Sequence, residues 1–317
     1  MDGLPRAGTT CDHRCVLGGG RSGAGHEGPV RPEAISAAAE ASFAGCDDER
    51  LRTLMQALVR HLHAFVREVA PTDAEWRAAV DRLTATGRIT DEQRNEFVLW
   101  SDALGISMLV DALAHPLPTG ATESTVLGPF WAEGSPLREY GEPIFDSAAG
   151  EPAWVHGHVR DLDGRPIGEA ELDVWQNDAT LLYGVQDPEA PEAHLRSRFR
   201  TRADGSYAFL GVRPVPYPIP DDGPVGAMLA ATGRHPWRPA HLHMIVTAPG
   251  FETLTTHFFD AESAYLDSDA VFAVKPSLLR RFVRRQAGDP DRPPSVTGDW
   301  WSVENEIVLA GAGEAGA

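Results

Sequence analysis

Apolar residues follow two regimes along this chain, first a helical period and then an alternation. After Asp47 and Asp48, the residues Leu51, Leu54, Met55, Leu58, Leu62, Phe65, Val66 and Val69 share one face at helical spacing. Pro71 ends that helix. Thr72 followed by Glu75 is a capping-box pair that opens a second helix, which Gly87 is expected to close. Thr90 with Gln93 repeats the pattern and predicts a third helix reaching about Leu113, ahead of Pro116 and Pro118. From about Pro152 the pattern alternates. Asp163-Gly164, Asp204-Gly205 and Pro249-Gly250 punctuate strand-like runs such as Leu172 to Trp175, Tyr207 to Leu210 and Leu242 to Thr247. Short strands between Gly and Pro turns predict a β-sandwich or barrel. The expected class is α+β: a disordered leader over 1–31, an all-helical unit over 32–116, a linker over 117–150 shared by both parts, a β-sandwich over 151–310 and a flexible tail over 311–317.

A chain of 317 residues is about two domains' worth and can bury a sizeable core. The leader is rich in Gly and Arg, and its one apolar run, Cys15-Val16-Leu17, meets Gly18-Gly19-Gly20 at once. That excludes a secretory core there and leaves disorder or an upstream start artefact. Cys11, His13 and Cys15 look metal-like, but a closed zinc site wants four ligands and no second cluster follows. With 28 Lys+Arg against 46 Asp+Glu, the formal charge of −18 argues against nucleic-acid or anionic-membrane partners. Lys275 is the only lysine, which disfavours Schiff-base and P-loop chemistry. No apolar run approaches a membrane span. Three cysteines cannot form a disulfide framework, so a reducing cytoplasm is the expected compartment. The expected partner is a small molecule.

The pattern His-x-His occurs three times. His61 and His63 sit on a helix, where a two-residue step points them to different sides. His156 and His158, like His241 and His243, fall on one face of a strand, with backbones about 6.5–7 Å apart, so that either pair could converge on a metal. Spacing alone does not choose between them; neighbours do. Upstream of the third pair runs Pro214-Val215-Pro216-Tyr217-Pro218-Ile219-Pro220, in which alternate prolines remove donors and fix φ. This is a stiff extended segment, either a polyproline-type surface loop or a rigid mount for Tyr217. Arg238-Pro239 leads into the histidine strand and would set a fixed positive charge beside it, as a surface ion pair or as a stabiliser of developing negative charge.

Arg238-Pro239-Ala240-His241-Leu242-His243, preceded by Val215 to Pro220 and by Leu182-Tyr183-Gly184, resembles the intradiol ring-cleavage dioxygenases. The likeness extends through Gly157, Arg160 to Pro166 and Val174-Trp175-Gln176, and back to Ser101 to Gly105 and Glu123 to Phe130. It spans roughly residues 45 to 285 in the family's order. The resemblance implies Fe(III), one per subunit, held by Tyr183, Tyr217, His241 and His243, with Tyr217 and His243 axial and Tyr183 and His241 equatorial. It implies that the β-sandwich is catalytic, that Tyr217 acts as a base, and that Arg238 steadies charge on the ring. The proline-caged tyrosine and the run Glu123 to Phe130 are similar to the hydroxyquinol-cleaving branch rather than the catechol branch. On that likeness Leu99, Asp102, Val126, Gly128, Ile219 and Pro220 line the substrate pocket with Arg238. Asp102 could accept a hydrogen bond from a third ring hydroxyl, or bond only within its own helix turn. The implied partners are a small aromatic diol or triol and O2, with a homodimer through the helical unit and, in the family, a phospholipid at that interface. Met244 stands where the family often has an aromatic residue, and the first 31 residues match nothing in it.

Three alternatives follow from the same residues. One is a catechol or substituted-catechol enzyme. Another is a non-catalytic β-sandwich binding module with structural histidines and tyrosines. The third is a divalent-metal enzyme using His241, His243 and a carboxylate.

Overall fold

The computed structural model describes residues 31–91, 94–116, 118–145, 150–191 and 193–313. The expected leader up to residue 30, Gln93, and the end of the expected tail lie outside the described residues. The chain divides into two compact units, the first ending at Trp76 and the second beginning at Arg77.

In the first unit, α1 (Pro32–Ala41) starts on a proline whose missing N–H costs nothing at that position, and α2 (Glu49–Val69) is capped by Asp48, which accepts from the Leu51 amide at 2.9 Å. Ala70 in the left-handed region ends α2 just before Pro71. The expected stripe Leu51, Leu54, Leu58, Leu62, Phe65, Val66 and Val69 is present on α2 and lies exposed. Thr72 and Glu75 form the reciprocal capping box: the Thr72 amide donates to Glu75 at 2.7 Å and the Glu75 amide donates back at 3.3 Å.

The third helix, α3 (Asp73–Ile89), runs through Gly87 rather than stopping there. A mid-helix glycine costs only about 1 kcal/mol relative to alanine, which packing easily offsets. Trp100 Nε1 donates to the buried Thr86 hydroxyl at 2.9 Å and ties down that last turn. The expected third helix is in fact two, α4 (Glu96–Ala103) and α5 (Ile106–Ala114), bent by 78°. Gly105 at φ +73° makes the break, and Asn95, not Thr90, caps α4. The expected helical boundary near Pro116 also differs from the division at Trp76. Leu99, Ala103 and Met108 join a core cluster with Ile219, Val225, Leu229 and Phe259, so α4 and α5 belong to the sheet-bearing unit.

That unit holds β1 (Pro152–Asp161), β2 (Glu171–Gln176), β3 (Arg196–Arg200), β4 (Ser206–Val212), β5 (Tyr217–Pro218), α6 (Pro224–Ala231), β6 (Trp237–Arg238), β7 (His241–Thr247), β8 (Leu254–Asp260), β9 (Leu279–Arg280), β10 (Val283–Arg285), β11 (Trp300–Glu304) and β12 (Ile307–Leu309). One five-stranded sheet joins β10, β11, β1 and β12, with β4 on the other side of β1; the second has the order β3-β2-β7-β8-β9. Val155, Val159, Phe209, Val303 and Ile307 of the first sheet meet Leu172, Val174, Leu242, Met244, Val246 and Phe258 of the second in one buried cluster. This is the sandwich core. Because side chains alternate along a strand, burying Leu242 and Met244 in that core sends His241 and His243 to the opposite face.

Candidate metal centre

β7 lies inside its sheet, between β2 and β8, and the register sets the histidines' neighbours. His243 is opposite Trp175 on one side and His257 on the other, and His241 is opposite Phe259. Trp175 stacks on His243 with ring centroids 4.7 Å apart, and His257 meets the same ring nearly edge to face at 4.0 Å. His241 stacks on His257 at 4.9 Å, so the His241 and His243 rings are both fixed by packing.

Two loops close over this face. Asn177 bridges to Tyr183, and its side chain exchanges hydrogen bonds with the backbone of Val215, so one residue ties together the segments bearing both tyrosines. The proline-rich segment is neither a surface ligand nor a central strand. Tyr217-Pro218 forms the short β5, paired with β6 so that Tyr217 faces Arg238 across the ladder. Tyr183 is buried and stacked on Phe130 at 4.7 Å, and its ring lies edge-on to Tyr217 at 5.3 Å.

The donors converge. Tyr183 Oη lies 3.3 Å from His241 Nε2 and 3.1 Å from His243 Nε2, and the two Nε2 atoms are 3.2 Å apart. Arg238 Nη1 is 3.4 Å from Tyr217 Oη and 3.2 Å from His241 Nε2. The Pro239 carbonyl can only accept, so its 2.7 Å contact puts the His241 proton on Nδ1 and turns the Nε2 lone pair inward. Burial, then the Arg238 charge and the other imidazole, holds His241 well below the ordinary histidine range. Burial and Arg238 do the same to His243, so both rings are neutral and able to ligate. Burial, with Tyr217 adding to it, raises the Tyr183 phenol well above its usual value. A cation among these atoms would reverse that balance and favour the phenolate.

Among the described residues, the group of His, Cys, Asp or Glu side chains able to share an ion is His241, His243 and His257, all buried. The other His-x-His pairs do not converge. His63 contacts Ser36, while His156 and His158 face away from the sandwich core toward Ser302 and Glu306.

Phe259, opposite His241, belongs to the apolar cluster that also holds some of the expected pocket residues. Leu99 and Ile219 are buried in one apolar cluster with Val126 packed against it, and Pro220 follows Ile219. Gly128 has φ +78°, and a Cβ there would lie 3.0 Å from Cε1 of His243. Asp102 is buried on α4, and burial raises its pKa, with Ser107 and Arg238 pulling the other way. A cavity of about 410 Å³ bounded by Ser107, Asp111 and Thr255 shares Val126 and Leu127 with this rim but none of the four converging donors.

Two residues of the site carried no signal in the sequence. His257 is fully buried and neither ring nitrogen has a hydrogen-bond partner, yet a single histidine in an alternating strand is unremarkable until β8 is registered against β7. Asp269 forms a buried ion pair with Arg238 Nε at 3.1 Å from a loop far along the chain.

Residues 127–310 match the family model described as Dioxygenase, and residues 48–122 match Catechol dioxygenase N terminus. The chain is 50% identical over 275 residues to hydroxyquinol 1,2-dioxygenase of Nocardioides simplex, covering 86% of this chain and 92% of the relative. It is 48% identical over 267 residues to hydroxyquinol 1,2-dioxygenase of a Rhizobium species, covering 84% and 90%. The solved structure of hydroxyquinol 1,2-dioxygenase from Pseudomonas putida DLL-E4 superposes with a TM-score of 0.84 at 48% identity, covering 88% of this chain and 98% of that one.

Proposed function

The chain belongs to the intradiol ring-cleavage dioxygenases, and from that premise we propose that it inserts both atoms of O2 into hydroxyquinol, benzene-1,2,4-triol. The ring opens between its two adjacent hydroxylated carbons and gives 3-hydroxy-cis,cis-muconate, the tautomer of maleylacetate. The observation that carries this reading is the convergence of two phenols and two neutral imidazole nitrogens beside a buried arginine.

The cofactor of this reading is Fe(III), one per subunit, with Tyr183, Tyr217, His241 and His243 as its ligands. Donor chemistry supports it, because a hard ferric ion favours anionic phenolate oxygen and two phenolates leave a net charge of about +1. When bound, ferric iron makes a chelated diol reactive toward O2.

The chain supplies the rest. Tyr217 Oη, as the phenolate, takes a proton from an entering ring hydroxyl and becomes neutral, and Arg238 Nη1, 3.4 Å from that oxygen, donates toward the negative charge left on the ring oxygens. Leu99, Val126, Ile219 and Pro220 hold the flat ring, while Gly128 leaves space against His243. Asp102 receives the third hydroxyl, which catechol lacks. The reading extends to a homodimer through the helical part, with a lipid at that interface; the exposed apolar stripe of α2 supports such burial. The cytoplasm is the proposed compartment, in keeping with the unpaired Cys46.

The test is the visible spectrum before and after anaerobic addition of the triol, followed by turnover on triol and catechol. A broad tyrosinate-to-iron band that shifts with triol, and faster turnover of triol, is expected. A protein colourless after ferric reconstitution would overturn the reading, and catechol turned over at least as efficiently would move the substrate to catechol.

A further inference from the structure

Arg238 has two usable edges. Its guanidinium offers five N–H donors in one plane, and only a partner on one edge can decide what the other edge faces. Nε and Nη2 point to Asp269: Oδ1 accepts from Nε at 3.1 Å and Oδ2 from Nη2 at 3.5 Å. Nη1 is left for the site, 3.4 Å from Tyr217 Oη and 3.2 Å from His241 Nε2.

The carboxylate is itself held. Oδ1 accepts from the Val271 amide at 3.3 Å and Oδ2 from the Ala273 amide at 3.0 Å. That turn is anchored beside its target, because the Ala270 amide donates to the Trp237 carbonyl at 3.2 Å and Arg234 Nη2 donates to the Ala270 carbonyl at 3.0 Å. Both partners of the ion pair are almost fully buried, at 3% and 2% exposure, so water cannot take the place of either. A carboxylate held by two backbone amides independently of Arg238 is a rigid clamp rather than a mobile counter-ion.

We propose that Asp269 is a positioning residue for ring cleavage, clamping the Nε–Nη2 edge of Arg238 so that Nη1 is presented to the Tyr217 oxygen and the substrate. This rests on the dioxygenase reading. Asp269 also balances the guanidinium charge from behind. Arg238 therefore meets Tyr217 as a directed N–H donor.

The experiment uses the full-length, iron-loaded protein as wild type, Asp269→Asn, Arg238→Gln and the double variant. Iron per chain, the visible band with and without anaerobic triol, and kcat and KM are measured for each. Asp269→Asn is expected to keep its iron and resting band, to give an altered triol-induced shift, and to lose roughly 10- to 100-fold in kcat per iron with KM little changed. In the Arg238→Gln background the same change should alter kcat by less than about twofold, because the residue it acts through is already gone. Wild-type kcat per iron and an unaltered triol-induced shift in Asp269→Asn, or an equal loss in both backgrounds, would overturn the clamp. If Asp269→Asn does not fold, Asp269→Glu keeps the charge but displaces the carboxylate. It should show the same kcat loss with iron retained, and wild-type turnover would overturn the proposal. A wild-type protein without iron or triol turnover defeats the underlying dioxygenase reading instead, so the two failures are distinct.

Discussion

The Nε2 atoms of His241 and His243 stand 3.2 Å apart with Tyr183 Oη within 3.3 Å of both. The Tyr183 phenol proton can serve only one of the two Nε2 lone pairs at a time, which leaves these three buried atoms one donor short among themselves. They suit a cation placed among them.

Removing one donor tests that arrangement. Outer-shell partners of a metal typically cost about 10–100-fold in affinity, so Tyr183→Phe should cost at least that much iron affinity and alter the tyrosinate band. Iron analysis and visible spectroscopy on the purified variant read both. Unchanged occupancy and an unchanged band would remove Tyr183 from the ligand set.

Gly128 and Gly134 form a matched pair. Both have positive φ, +78° and +84°, but an added Cβ meets His243 at 3.0 Å only at Gly128 and meets nothing within 4 Å at Gly134. Alanine at either position should cost about 1–2 kcal/mol from backbone strain. Iron affinity should fall in Gly128→Ala alone, because His243 must give way. Denaturant titration and iron competition with a chelator separate the two effects.

The Arg238–Asp269 pair predicts a non-additive stability pattern. Breaking a buried ion pair by removing one charge costs about 3–5 kcal/mol, whereas removing both leaves no uncompensated charge. Arg238→Gln/Asp269→Asn should therefore be destabilised by clearly less than the sum of its single variants. Equilibrium unfolding measures it, and strict additivity would contradict a direct interaction.

Asp102 predicts a pH dependence. Burial, together with Asp269, raises its pKa against the opposing pull of Ser107 and Arg238. For a group whose folded pKa lies above the unfolded value near 3.9, its stabilising contribution is complete below that value and is lost as pH rises through the folded pKa. Asp102→Asn should accordingly be at least as stable as wild type at neutral pH, with the advantage vanishing near pH 4. Thermal melts across that range test the sign. The same variant should lose preference for triol over catechol by about ten- to a hundredfold, since an unmade buried hydrogen bond costs about 1–3 kcal/mol. Competition between the two diols measures that ratio.

Local order was written plainly in the sequence. The Thr72–Glu75 box, the amphipathic face of α2 and the alternation of β7 depend on residues within a few positions of one another, and these forces act before any tertiary contact forms. The resemblance through Tyr183, Tyr217, Arg238, His241 and His243 depended equally on contiguous motifs. Where sequence reasoning missed, a competing contact had won. Gly87 stays helical because its turn packs, while Gly105 breaks the next helix because the chain must bend 78° there.

What the chain alone determined was the pair of regimes, the histidine-bearing strand and the chemistry of its donors. Tertiary structure decided which residues surround them. His257 meets His243 only through the β7–β8 register, Tyr217 meets Arg238 only through the two-residue ladder of β5 and β6, and Asp269 reaches Arg238 across 31 positions of chain. No local signal marks such partners. Pairing between distant segments is selected by burial of the whole sandwich core and by the cost of leaving a charge unpaired inside it, and neither term is defined until the fold has formed.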